Sequence, residues 1–134
     1  MEARAIGKGL LGSPQKARLV IDLIRGQSVN AARSVLLFTR KRAARPILNV
    51  LNSAIANAER KAEDANVSID IDELFVRDCH VDSGPTKHRA GVRRFRPAPR
   101  GRAFMERRRS SQVTITVSTE REKAEVEAER AAGD

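Results

Sequence analysis

The stretch SSQVTITV, residues 110–117, decides the fold of this chain. Val113, Ile115 and Val117 alternate with residues that carry hydroxyl groups, so the branched apolar side chains share one face of the segment. A period of two is typical of a β-strand with one buried face. We therefore expect a strand here, within an antiparallel sheet.

A long arm rich in Gly, Pro and Arg precedes that strand. The residues from Asp82 to Ser111, about 30 of them, offer almost nothing to a core. A structureless loop of this length is rare inside a compact domain, so the sequence favours a long hairpin that projects from the sheet. Its basic residues, which we expect to bind RNA, are Lys87, Arg89, Arg93, Arg94, Arg96, Arg100, Arg102, Arg107, Arg108 and Arg109.

Arginine dominates this arm, and a guanidinium group can pair with two phosphate oxygens at once. Basic segments broken by Gly and Pro typically become ordered only on RNA. The other interpretation is a solvated basic loop without a target. We favour it less, because like charges at this density repel one another unless a polyanion is present.

A second strand is expected upstream of the arm. Ile69 and Ile71 alternate with aspartates, and the apolar residues 74–76 lead into Val81. This pattern predicts a strand over residues 69–81. Cys79 and the adjacent His80 would then point to opposite faces, so they cannot form a nucleophile–base pair.

Helical periodicity governs the first half of the chain. Ser13 followed by Pro14 is a typical helix start, and an apolar stripe at i, i+3, i+4 and i+7 begins at Ala17. A third helix is expected from about Ala43 to about Ala62, with a broad apolar face.

Between these two helices we expect a second helix that begins with Asn30 as its cap. Its apolar stripe would include Phe38. The basic run 40–42 would close this helix, because cations suit the negative end of the helix dipole.

A second anion-binding surface is expected on the helices. Cations at the start of the first helix oppose its dipole unless they serve a ligand, and the join of the second and third helices offers free backbone N–H groups. An exposed Asn on the third helix would hydrogen-bond RNA, although a plain polar face explains it equally well. The residues concerned are Lys16, Arg18, Arg40, Lys41, Arg42, Arg45 and Asn57.

The net charge of +9 over 134 residues is unevenly distributed. Segments 1–61, 62–83, 84–109 and 110–134 carry +9, −6, +9 and −3. A basic chain points to a polyanionic partner, nucleic acid before an anionic membrane surface. Because the chain has four Phe and no Trp or Tyr, we expect base stacking to contribute little to recognition.

Several protein classes are excluded by composition. Cys79 is the only cysteine, so neither an intramolecular disulfide nor a zinc ribbon is expected. No apolar run approaches the ~20 residues of a membrane span, and residues 1–4 show no start of a signal peptide. Asp70 and Asp72 have no His nearby. We therefore expect a cytoplasmic protein that is not an enzyme and has no catalytic residues, metal, cofactor, membrane partner or homo-oligomer.

Several segments, in the same order, are similar to one known family. They resemble ribosomal protein twenty-two of the large subunit, bacterial type, over about residues 3–119. The segments are SPQKARLVIDLIRGQSV (13–29), LNSAIANAE (51–59), VDSGPT (81–86), GRA (101–103) and SSQVTITV (110–117).

The resemblance implies an α+β fold with three helices packed on a small three-stranded antiparallel sheet and a long protruding β-hairpin over about 81–113. It implies binding to large-subunit ribosomal RNA, contact with neighbouring ribosomal proteins, a role in assembly and a place on cytoplasmic ribosomes. It also implies that the hairpin tip, near 89–99, lines the polypeptide exit tunnel and meets the nascent polypeptide. The tip residues would be His88, Arg89, Ala90, Gly91, Val92, Arg93, Arg94 and Phe95.

The chain departs from the family pattern in the arm. The stretch between residues 86 and 101 is longer than in the family, which would lengthen or bulge the tip. One domain over 1–119 then includes the hairpin, and we expect the acidic residues 120–134 to be an exposed or disordered tail. The alternative function is a free-standing basic nucleic-acid-binding protein, architectural or regulatory, in which Phe95 or Phe104 inserts between base steps.

Overall fold

Strand β5 (Ser110–Ser118) lies at the centre of a three-stranded antiparallel sheet, between β1 (Glu2–Leu11) and β2 (Phe75–Ser83). The structure is a computed structural model that describes residues 1–86, 95–119 and 131–133. The predicted α+β class, with three helices and a small antiparallel sheet, is confirmed. The other elements are α1 (Pro14–Ile24), α2 (Val29–Phe38), α3 (Ala44–Asp64), β3 (Phe95–Pro97) and β4 (Ala103–Met105).

The core lies between one face of this sheet and the helices. Val113, Ile115 and Val117 of β5 are wholly buried, as their alternation predicts. On β1 the corresponding positions are Ala3 and Ala5, small residues that let α3 pack closely on the strand. Burying each of the larger β5 side chains contributes roughly 1.5–3 kcal/mol, so β5 both pairs the strands and anchors the helices.

The cap of α1 is confirmed and that of α2 is corrected. The Ser13 hydroxyl accepts a hydrogen bond from the backbone N–H of Lys16. In α2 the cap is Ser28, two residues before the expected Asn30. The reason is tertiary: the backbone N–H of Val29 donates to the carbonyl of Leu74, which fixes where the helix begins.

Helix α2 ends at Phe38, where both the hydroxyl and the N–H of Thr39 donate to the Val35 carbonyl. The basic run 40–42 therefore lies beyond the helix, and the expectation that it closes α2 is wrong. The expectation that Phe38 joins the apolar stripe is also wrong. The buried stripe runs through Leu36, and Phe38 lies two residues, or about 200°, further around the helix, where it is 86% exposed.

The acidic segment before β2 forms a 3-10 turn, Ile71–Glu73, instead of the first part of a strand. The Asp70 carboxylate accepts the backbone N–H of Asp72 at 3.0 Å. Such local bonds compete with strand pairing, so β2 begins only at Phe75 and the predicted strand over 69–81 is corrected to its second half. Helix α3 lies within two residues of its expected bounds.

The sheet continues into the arm through a close contact at Gly84. Its backbone N–H donates to the Ser110 carbonyl at 2.9 Å. A Cβ atom at this position would lie 2.5 Å from Ser110 Oγ and 3.2 Å from the Ser110 carbonyl carbon. Any larger residue would therefore have to displace Ser110 where the hairpin leaves the sheet.

Beyond this contact, β3 pairs with β4, and Phe95 lies opposite Met105. The chain reverses over residues 98–102, where Arg100 and Gly101 have positive φ and the N–H of Ala98 donates to the carbonyl of Arg102. This reversal lies at the far end of the expected tip region, and Phe95 lies in a strand. The other expected tip residues, 88–94, lie outside the described residues, as do 120–130 and 134 of the tail.

Replacing Gly84 with alanine tests the close contact. We expect Gly84→Ala to lower the free energy of unfolding by about 1–3 kcal/mol, because the added Cβ overpacks the base of the hairpin. Urea denaturation followed by circular dichroism measures this. Since part of the clash is with a hydroxyl, G84A/S110A should be less destabilised than the sum of the two single variants. Strict additivity would contradict the contact.

Candidate nucleic-acid interface

The strand register sorts the charged segments to two ends of the sheet. At the start of β5, Ser110 and Ser111 pair with residues 10–11 of β1, beside the first turn of α1 and the base of the arm. We call this the basic end. At the other end, Ser118 pairs with Glu2 and Phe75, next to the acidic turn Ile71–Glu73. We call this the acidic end.

A groove at the basic end brings together cations from three separate parts of the chain. One half, about 500 Å³, lies between the β1–α1 join and the return arm of the hairpin. The other half, about 480 Å³, lies between α1 and the α2–α3 corner. We call the whole the basic groove; its charged lining residues are Lys16, Lys41, Arg42, Arg107, Arg108 and Arg109.

A backbone hydrogen bond joins two sides of the groove. The N–H of Gly12 donates to the carbonyl of Arg109 at 3.3 Å, which joins the end of β1 to the return arm. No lining residue of either half is acidic. These cations therefore repel one another at close range, and a polyanion in the groove would relieve that repulsion.

Six of the predicted RNA-binding residues thus line one groove. Arg45 lines an adjoining hollow at the α2–α3 corner together with Lys41 and Arg42, and Arg40 is exposed in the same turn. Arg100 and Arg102 are exposed at the chain reversal of the hairpin. Lys87, Arg89, Arg93 and Arg94 lie outside the described residues.

Two predicted RNA-binding residues have hydrogen-bond partners within the chain. The Arg18 guanidinium donates through Nε and Nη2 to the carbonyl of Val81, at 3.2 and 3.0 Å. The Asn57 amide donates to the carbonyl of Arg4 at 3.0 Å. Both acceptors lie on the outer edges of the sheet, so these side chains occupy edge carbonyls that could otherwise pair with another strand.

The same arrangement recurs once on each edge. Arg25 Nη2 donates to the carbonyl of Cys79 at 2.9 Å, and Lys61 Nζ donates to the carbonyl of Glu2 at 2.7 Å. Helices α1 and α3 therefore cover the β2 and β1 edges with side-chain donors. On the hairpin, Arg96 Nε forms an ion pair with Glu106 at 2.6 Å, so this predicted RNA-binding residue also has a partner within the chain.

Sequence reasoning missed the part of the groove floor formed by Leu11, Gly12 and Ser13. Most of the glycine-rich residues 7–12 lie in strand β1, and Gly12 follows its end. The available signal was the Gly12–Ser13–Pro14 join. This join places the first turn of α1 directly after the end of β1, where the return arm of the hairpin also lies.

Cys79 and His80 lie on opposite faces of β2, as predicted: the first is buried and the second exposed. Burial raises the pKa of the Cys79 thiol, and the nearby Arg25 opposes that shift. His80 lies 3.7 Å from both Asp78 and Asp82. Within residues 1–86, 95–119 and 131–133 no group of acidic, His and Cys side chains fits a metal ion, and no helix there is long and apolar enough to cross a membrane.

Comparison with known proteins gives one consistent result. The sequence model of the family "Ribosomal protein L22p/L17e" matches residues 5–118. A relative from Pelotomaculum thermopropionicum, "Large ribosomal subunit protein uL22", is 43% identical over 122 residues, which are 91% of this chain and 99% of the relative. Proteins of the same name from Leptospira biflexa and Clostridium novyi are 47% and 42% identical, over 88% and 87% of this chain and 94% and 96% of their own lengths.

The double hydrogen bond of Arg18 predicts a stability effect that a purely RNA-binding residue would not have. We expect Arg18→Ala to lower the free energy of unfolding by about 1 kcal/mol, the scale of a partly exposed hydrogen bond. Lys16→Ala, two residues away, removes the same charge but no such bond, and should not lower stability. Urea denaturation of both variants makes the comparison, and equal stabilities would contradict the role assigned to Arg18.

Proposed function

The chain belongs to the ribosomal protein L22p/L17e family, and from that premise we propose that it binds large-subunit ribosomal RNA through its basic groove. The family is one of structural proteins of the large ribosomal subunit. The chain is accordingly a structural constituent of that subunit and not an enzyme, and its place is the ribosome in the bacterial cytoplasm.

One observation carries the proposal: the basic groove collects cations from α1, from the α2–α3 corner and from the return arm of the hairpin. These segments are far apart in the sequence and meet only in the folded chain. A groove of this kind recognises the positions of phosphates on a shaped RNA more than a base sequence. The basic end would then face RNA and the acidic end would face away from it.

The groove also supports a role in subunit assembly. Phosphates from separate RNA segments, bound to the helical side and to the return arm, would be held at a fixed spacing by one rigid sheet. Binding of this kind stabilises both the folded protein and the RNA arrangement that fits it. Neighbouring ribosomal proteins would contact the surfaces that RNA leaves uncovered.

We extend the proposal to the hairpin, whose tip would line the polypeptide exit tunnel and meet the nascent polypeptide. The support is the family membership together with a short paired ladder, β3–β4, that ends in a tight turn at Pro99–Gly101. The proposed tip includes the expected residues 88–95 and this turn. The unit that carries it would be one domain over 1–119, which acts as a monomer.

The alternative of a free-standing architectural or regulatory protein is less well supported. Phe95 and Phe104 are exposed on the hairpin, as a wedge between base steps would require. However, the relatives match this chain over nearly their whole lengths and are large-subunit proteins.

Salt dependence of RNA binding tests the basic groove. We expect the double variant R42A/R108A to reduce the slope of log affinity against log salt by about 1.4–1.8, since each lost phosphate contact removes about 0.7–0.9. Filter binding of the full chain to large-subunit ribosomal RNA at several KCl concentrations measures the slope.

The matched control for this test is R4A/R60A, which removes two exposed cations that do not line the groove. The control should reduce the salt slope by less than R42A/R108A does. Equal losses in the two double variants would show that only net charge matters, and the groove would then not be the binding site.

Photocrosslinking tests the tunnel proposal. A photoreactive side chain at Arg100, in the hairpin turn, should crosslink to a stalled nascent polypeptide when the variant is incorporated into ribosomes. The same group at Val67, which is exposed after α3, should not. Crosslinking from Val67 but not from Arg100 would contradict the proposed position of the hairpin.

A further inference from the structure

Three of the four phenylalanines are on the surface, although aromatic rings bury the largest apolar area per residue when they lie in a core. Phe75 is buried, whereas Phe38, Phe95 and Phe104 are 86%, 59% and 67% exposed. A single exposed apolar residue is ordinary. The pattern here is different, since most of the scarce aromatic rings are left out of the core.

Phe38 is the most exposed of these rings and does not lie on the hairpin. It is the last residue of α2, and its neighbour Leu37 is also exposed, at 68%. The α2–α3 corner beside them contains a hollow of about 410 Å³. Leu36, Leu37 and Leu48 supply its apolar side. Leu37 lines the hollow and precedes Phe38 in the chain, so the exposed end of α2 adjoins an apolar surface.

Cations border this apolar surface. Lys41, Arg42 and Arg45 line the same hollow, and no carboxylate occurs in the chain between Asp22 and Glu59. The hollow shares Lys41 and Arg42 with the basic groove. An occupant that combines an apolar group with negative charge would therefore match this corner.

We propose that the α2–α3 corner binds one unpaired RNA base, stacked on the ring of Phe38 and packed on Leu37, with the adjoining phosphates on Lys41, Arg42 and Arg45. This inference rests on the proposed function, because it adds contact with a base to the same RNA surface. A nucleotide has the required combination of a π-face and flanking charge. A protein partner with an apolar side chain between acidic residues would fit less well, since it lacks a repeating charge along its backbone.

The proposal changes the expectation drawn from composition. With only four phenylalanines in the chain, base stacking is expected to contribute little to RNA recognition, because a core would bury them. Because α2 ends with Phe38 turned away from the stripe that includes Leu36, the ring is available to a ligand at no cost to the core.

A tryptophan at position 38 gives a direct measurement, since the chain has no Trp or Tyr. In the full-length variant Phe38→Trp, a short oligoadenylate should quench the Trp fluorescence, and an abasic ribose-phosphate chain of equal length should not. Val67→Trp, at an exposed apolar position after α3, should show no quenching with either. Equal quenching at position 38 by both oligomers, or none, would overturn the proposal.

Affinity measurements separate stacking from charge. Phe38→Ala should weaken binding of oligoadenylate about tenfold, within the range for one lost base–aromatic stack, and leave binding of the abasic chain unchanged. Its melting temperature should match that of the unaltered chain, because the ring is exposed. Unchanged affinity for oligoadenylate would mean that Phe38 serves a protein partner or none.

The variant R42A/R108A distinguishes this failure from failure of the proposed function. If Phe38→Ala binds oligoadenylate normally while R42A/R108A binds large-subunit ribosomal RNA weakly, the groove binds RNA and only the stacking inference is wrong. If both variants bind like the unaltered chain, the groove itself is not the RNA site.

Discussion

The antiparallel pairing of β5 with both β1 and β2 is the interaction on which the rest of the structure depends. The last strand of the domain hydrogen-bonds to the first strand on one side and to the strand that starts the hairpin on the other. Its buried Val and Ile side chains hold the helices on one face. This pairing brings the end of β1, the start of α1 and the return arm of the hairpin to one end of the sheet, and thereby forms the basic groove.

The same pairing converts a linear charge pattern into a spatial one. Cations from both basic blocks of the sequence, 1–61 and 84–109, line the basic groove, and the carboxylates of Asp72 and Glu73 lie at the other end of the sheet. Donors from α1 and α3 cover the sheet edges, which suppresses pairing with other strands. The domain therefore has one basic end and one projecting arm.

Sequence reasoning predicted what depends on local pattern and failed where distant contacts decide. The alternation in 110–117 predicts β5, because strand period and burial coincide there. The acceptors of Arg18 and Asn57 are carbonyls more than fifty residues away, which no local spacing reveals. Ser28 displaced Asn30 as a helix cap for the same reason: a contact with the segment before β2 fixes the start of α2.

A map of the large subunit that contains this chain tests the central claim most directly, namely that the basic end faces RNA. The account predicts RNA phosphates within hydrogen-bonding distance of Lys41, Arg42 and Arg108 in the basic groove, and no RNA against Asp70 and Asp72 at the acidic end. A map in which the groove faces solvent or protein, with RNA packed on the acidic end, would contradict it.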